Sequence, residues 1–140
     1  GVAPTGNGRR ESFRSSPIPR MRATYMESGN ANPEDIIASV EKGVYVDEFS
    51  NGQVKIGEGD FTFFVKSGYL IENGKLTMPV KDINVIGNGP QALKDIIAVG
   101  NDCKLDDSAW TCGKGQSVPV CCGMPTVLVN NLTVGGEENA

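Results

Sequence analysis

The sequence predicts an α+β fold, mostly antiparallel β, arranged as a curled sheet or a sandwich with two short helices. Three observations carry that expectation. Stretches such as DFTFFVKSGYLIE are rich in the aromatic and β-branched residues that strands prefer. Asn-Gly pairs at 51–52 and 73–74 punctuate these stretches as two-residue hairpin turns do. Two short segments carry apolar residues at helical spacing. At 140 residues the chain suits one domain, able to bury a core without metals or disulfides.

Residues 1–24 differ from the rest and are read as a basic Pro/Arg-rich arm, with residues 25–140 forming the β-rich domain. The arm carries Arg9, Arg10, Arg14, Arg20 and Arg22 against Glu11, and its prolines favour an extended path over a helix. It reads either as a flexible tail or as a segment that packs across a partner or lines an anionic site. The first helix should begin at Asn32 as cap and Pro33 in the first turn, with Ile36, Ile37 and Val40 facing the core and Gly43 as its stop. VYVDEF and QVKI should then pair across Asn51-Gly52, and GYLIE with KLTMPV across Asn73-Gly74. INVIG is a further strand. Pro90 should open a second helix whose face is Leu93, Ile96 and Ile97, closed by Gly100. The end, SVPVCCGMPTVLVNNLTVGG, reads as one or two strands in which Pro119 and Pro125 mark edges or breaks, followed by a loose EENA tail. The total is six to eight strands.

Composition excludes several function classes. The net charge is −4, which argues against nucleic acid as a partner despite the basic arm. No apolar run approaches the ~20 residues that span a bilayer, and no signal peptide is evident; a cytoplasmic location is expected. The chain contains no histidine, so a Ser–His or Cys–His catalytic pair and a zinc site with its own His ligands are both impossible within it. It opens GVAPTGNGRR without an initiator methionine, as a piece cut or processed from a longer protein would.

Candidate sites are few. Gly6-Asn7-Gly8, Gly87-Asn88-Gly89 and the Cys112-Gly113-Lys114-Gly115 loop lack the full spacing of a phosphate cradle, and tight connection is the better reading. Asp102, Asp106 and Asp107 lack the spacing of an EF-hand. The four cysteines stand at 103, 112, 121 and 122. Adjacent Cys121 and Cys122 would point to opposite faces of a strand, which argues against a four-cysteine zinc site; both read as small buried apolar residues. Cys112 stands apart on a loop beside Gly113 and Lys114, where nearby cations and N–H groups favour thiolate. Ligand, nucleophile and bystander all remain open for it at this level.

Several stretches together resemble the C-terminal part of the TldD/PmbA family, named as modulators of DNA gyrase and counted among zinc metallopeptidases. They are TGNGRRESFRSSPIPRM at 5–21, GVYVDEFSNGQV at 43–54 and GDFTFFVKSGYLIENGKLTMPVKDINVIGNGP at 59–90, then AVGND at 98–102, CGKGQSVPV at 112–120, PTVLV at 125–129 and LTVGG at 132–136. The CGK…GQSVPV segment is more similar to the TldD branch. The resemblance implies that Cys112 is one zinc ligand. The two histidines and the glutamate of a His-Glu-x-x-x-His motif would lie upstream of this chain, leaving it inert alone. It further implies peptides or unfolded segments as substrates. The upstream TldD-like domain is the implied partner, in a homodimer or a heterodimer with a PmbA-type subunit. This chain has CGK-GQ where the family has an extra residue, and Cys121-Cys122 where glycine and valine are usual. The competing reading is a non-enzymatic interaction domain of gyrase-modulator type that docks through its basic arm. A third is a thiol enzyme using Cys112.

Overall fold

In the computed structural model, residues 1–106 and 110–136 are described. The elements run β1 (Gly8–Arg9), β2 (Ile18–Pro19), β3 (Ala23–Tyr25), α1 (Pro33–Ala38), β4 (Lys42–Val54), β5 (Asp60–Glu72) and β6 (Lys75–Val80). They continue with β7 (Ile83–Asn88), α2 (Gly89–Lys94), β8 (Ile96–Val99), β9 (Lys104–Leu105), β10 (Trp110–Gly113), β11 (Ser117–Met124), β12 (Val127–Val129) and β13 (Thr133–Gly135). The class is α+β with mostly antiparallel pairing and two short helices, as expected; the pairing of β3 with β11 is parallel. Many of the strands are only two to four residues long, which is why the described residues hold more of them than the sequence suggested.

The chain divides into two compact units, residues 1–28 with 102–125, and residues 29–101 with the chain from Thr126 onward. The second unit is built on β5. β4 pairs along its whole length on one side, β6 and β7 share the other, and β13 extends the sheet from β7. Val65, at 1% exposure, is the most deeply buried side chain, with Ile36, Ile71 and Val85 also buried. A separate β8–β12 pair completes the unit.

Two expected turns fared differently. Asn73-Gly74 is the β5–β6 turn, with φ of 51° and 74° at its two residues, and Glu72 facing Lys75. Asn51-Gly52 is not a turn. β4 runs straight through it, with Asn51 opposite Phe64 and Gly52 opposite Phe63. The reversal falls instead at residues 55–59, where Gly57 and Gly59 take φ of 101° and 83°. Glycine is needed at 52 for a different reason: a Cβ there would collide with the Phe63 ring.

Both helices begin where expected and end early. The Asn32 side chain accepts from the Glu34 N–H at 3.0 Å, and the Asn88 side chain accepts from the Gln91 N–H at 3.4 Å. The first helix stops at Ser39, whose N–H and hydroxyl both return to the last turn, and Gly43 lies inside β4. The second stops at Asp95. Ile96 and Ile97 do not continue its face but enter β8, where strand pairing with β12 suits their β-branched side chains. Leu93 stays 66% exposed. Pro119 sits in β11 where only β10 pairs with it, and Pro125 separates β11 from β12, as edge and break respectively. The EENA tail lies outside the described residues.

The first unit is a small sheet in the order β10-β11-β3, with β9 also on β11. Residues of the basic segment take part in it. β1 pairs with β2, and β3 aligns Ala23, Thr24 and Tyr25 with Cys121, Cys122 and Gly123. Its buried residues include Arg20, Cys112, Val118 and Val120.

Candidate functional site

Cys112 belongs to β10 rather than to a loop. β10 and β11 form a hairpin in which Cys112 faces Val118 and Trp110 faces Val120. Directly opposed residues share one face, so Trp110, Cys112, Val118 and Val120 line one side. Lys114, Gly115 and Gln116 make the turn, with Gly115 at φ 67° and the Lys114 N–H donating to the Gln116 carbonyl at 3.1 Å. Trp110 is held from its own side, its Nε1 donating to Asp106 Oδ2 at 2.8 Å.

The segment Pro19–Met21 lies against this hairpin. Lys114 Nζ donates to the Pro19 carbonyl at 3.1 Å. Arg20 is buried at 3% exposure, and its Nη2 donates to the carbonyl of Cys112 and, at 2.7 Å, to the carbonyl of Gln116. Its own N–H is tied to the Asn7 carbonyl at 2.9 Å. Gln116 reaches the same segment from the turn, its Nε2 donating to the Ser16 carbonyl at 2.9 Å and its Oε1 accepting from the Glu11 N–H at 3.2 Å. An open groove of about 670 Å³ runs beside these residues, lined among others by Arg20, Arg22, Thr24 and Lys114.

This setting holds the Cys112 thiol below the usual cysteine range. The largest cause is a hydrogen bond from the Met21 backbone N–H, followed by the Arg20 guanidinium; burial opposes them, and the charges of Arg20 and Lys114 add to the lowering. The sign is that of a depressed acid. Its stabilising share is complete above the unfolded thiol value and is lost as pH falls through the folded one. Alkylation of Cys112, followed peptide by peptide in a mass spectrometer, is therefore expected to have its pH midpoint below that of the same cysteine in urea. Coincident midpoints would contradict the geometry.

The other cysteines separate by face. All four are free thiols. Cys103 is half-buried and its Sγ donates to the Met26 carbonyl at 3.1 Å. Cys122 is half-buried, but Cys121 is exposed, because it continues the outward phase of Ser117 and Pro119 while Val118 and Val120 face inward. The expectation of two buried cysteines is corrected at Cys121.

The remaining candidates are structural or undescribed. Asn88 ties its loop, donating from Nδ2 to the Glu58 carbonyl at 2.9 Å and to Asp60 Oδ1 at 3.0 Å, so Gly87-Asn88-Gly89 serves a tight connection. Asn7 accepts from the Thr5 hydroxyl at 2.7 Å in the Gly6-Asn7-Gly8 turn. Asp107 lies outside the described residues. Among the described residues no helix is long and apolar enough to cross a membrane, and no group of three or more His, Cys, Asp or Glu could hold a metal. Cys112 is a free thiol, a sulfur donor of the kind that zinc takes. The donor chemistry fits zinc as one corner of a site.

Family comparison defines the class: residues 1–136 match the model of the PmbA/TldA metallopeptidase C-terminal domain, and the chain belongs to that family. It is 48% identical over 137 residues to a metalloprotease TldD homolog of Buchnera aphidicola, covering 97% of this chain and 28% of that protein. It is 34% identical over 137 residues to a zinc metalloprotease TldD homolog of Saccharolobus solfataricus, covering 97% of this chain and 30% of that one. A Thermotoga maritima crystal structure described as a modulator of a DNA gyrase aligns with a TM-score of 0.69 at 29% identity, covering 96% of this chain and 27% of that chain. The chain thus spans less than a third of the length of these relatives.

Arg20 and Gln116 were missed as site residues. The sequence marks Arg20 only as one of several arginines, and its partner Cys112 is 92 positions away, so no local spacing could have linked them.

Proposed function

We propose that this C-terminal metallopeptidase domain serves a TldD-type zinc enzyme that cleaves peptides or unfolded segments. Cys112 is its one contribution to the metal, and a His-Glu-x-x-x-His helix upstream supplies the rest. The observation that carries this reading is the Cys112 thiol itself, kept toward thiolate by the Met21 N–H and the Arg20 guanidinium on a hairpin tied at both ends. When bound, zinc supplies the Lewis acidity that makes water a nucleophile near neutral pH. This chain's own task is narrower. Cys112 presents the sulfur, and the hairpin fixes where that sulfur sits. Cytoplasmic location, and assembly as a homodimer or with a PmbA-type subunit, are part of the same proposal.

Docking through a basic arm is the weaker reading. Arg20, which that reading would present to a partner, is buried and spent on the Cys112 hairpin. The test joins the domain to its upstream sequence. Peptide cleavage by that longer protein should vanish on chelation and return with zinc; cleavage indifferent to chelator would sink the proposal.

A further inference from the structure

Resting on the reading of Cys112 as a metal ligand, we propose that Arg20 is a positioning residue that presets the ligand sulfur by clamping the carbonyls of Cys112 and Gln116 across the hairpin turn.

The need for a clamp follows from the hairpin. Among the described residues β10 pairs with β11 alone, so one edge of it has no ladder there. The turn contains Gly115, and Gly113 ends β10 just before it; neither has any atom near the place where a Cβ would stand. Glycines in open space leave the backbone free to move. A ligand displaced by an ångström is a poor ligand, so something must hold the residue that flanks the turn. Arg20 holds both flanks with one nitrogen, since its Nη2 donates to the carbonyl of Cys112 before the turn and to that of Gln116 after it. Its own backbone is anchored independently, through its N–H to Asn7.

The cost of placing arginine there points the same way. A buried guanidinium is expensive unless its charge and its N–H groups are met. Here Nε and Nη1 are buried without a hydrogen-bond partner. A side chain serving only to fill space would be apolar at this position, as Val118 and Val120 are. The guanidinium is instead turned onto the backbone of the hairpin that carries Cys112. Groups that orient a ligand from behind are worth about ten- to a hundredfold in metal affinity when removed.

The experiment uses the longer protein, carrying the His-Glu-x-x-x-His helix and loaded with cobalt(II), whose sulfur-to-cobalt charge-transfer band reports the Cys112 bond directly. Cys112→Ser should abolish that band. Arg20→Met, folded by circular dichroism, should shift or weaken the band and loosen cobalt binding by about ten- to a hundredfold. Arg20→Lys, which keeps a donor for the two carbonyls, should recover part of the loss. A merely space-filling Arg20 would lower the melting temperature and leave band and affinity alone. If Cys112→Ser removes the band but Arg20→Met leaves band and affinity unchanged, the clamp is wrong and the ligand stands. If Cys112→Ser leaves the band intact, the ligand reading and the clamp fall together. Should Arg20→Met not fold, Arg20→Gln, whose side chain is too short to bridge both carbonyls, decides, and an unaltered band and affinity in it overturn the proposal.

Discussion

Cys112→Ser is expected to abolish zinc-dependent peptide cleavage by the longer protein while the fold of this domain survives. Serine keeps the volume of cysteine but not its chemistry, since a hydroxyl does not ionise near neutral pH and is a poor zinc ligand. The loss should exceed the about ten- to hundredfold effect of removing a group behind a ligand, because here the ligand itself goes. Stability should change by about 1 kcal/mol or less, since the Met21 N–H and Arg20 offer the new hydroxyl hydrogen-bond partners. Zinc content and cleavage rate are read on the same purified sample. If both match the unaltered protein, Cys112 is not a ligand. Cleavage that is lost with zinc still bound, together with sensitivity to alkylation, would instead point to a thiol nucleophile.

The largest effect on stability is expected from Gly68→Ala. Gly68 is buried in β5, paired with Val46 on one side and Val80 on the other. The β4–β5 register shifts between Val46 and Glu48, so β4 carries an extra residue, Asp47, beside Gly68. Such a bulge bends the strand locally. The Tyr45 carbonyl here comes so close to Gly68 that an added Cβ would strike its oxygen. The obstacle is backbone held in a ladder, not a side chain that can swing away. The expected loss is about 3 kcal/mol, at the upper end for overpacking, read from the urea midpoint of this chain. An unchanged midpoint would mean that β4 and β5 do not meet in this register.

Much of the fold was legible, and the failures share a cause. Local chemistry was read correctly where it acts alone. Asn32 caps the first helix, Pro90 stands in the first turn of the second, and Asn73-Gly74 turns, because each needs only its own neighbours. Asn51-Gly52 carries the same local signal, yet it is overruled by the long pairing of β4 with β5, where Phe63 needs the space that Gly52 leaves. Ile96 and Ile97 fit a helical face by spacing, but β12 offered them a strand partner that spacing cannot show. The site followed the same rule. Cys112 stood out from its own glycines and lysine. Arg20 did not, because its importance arises only when the chain returns from residue 20 to residue 112.

Two of the chain's Asn-Gly pairs have a consequence for its chemical ageing. An asparagine before glycine deamidates when the following backbone nitrogen attacks the side-chain amide and closes a five-membered imide. That nitrogen must be free to turn inward. The Gly74 N–H is bound to the Val40 carbonyl at 2.8 Å, and the Gly89 N–H to the Gly59 carbonyl at 2.8 Å. The hydrogen bonds that fix these turns thus also shield Asn73 and Asn88 from slow conversion to isoaspartate. The folded chain keeps its sheet connections in repair simply by keeping them closed.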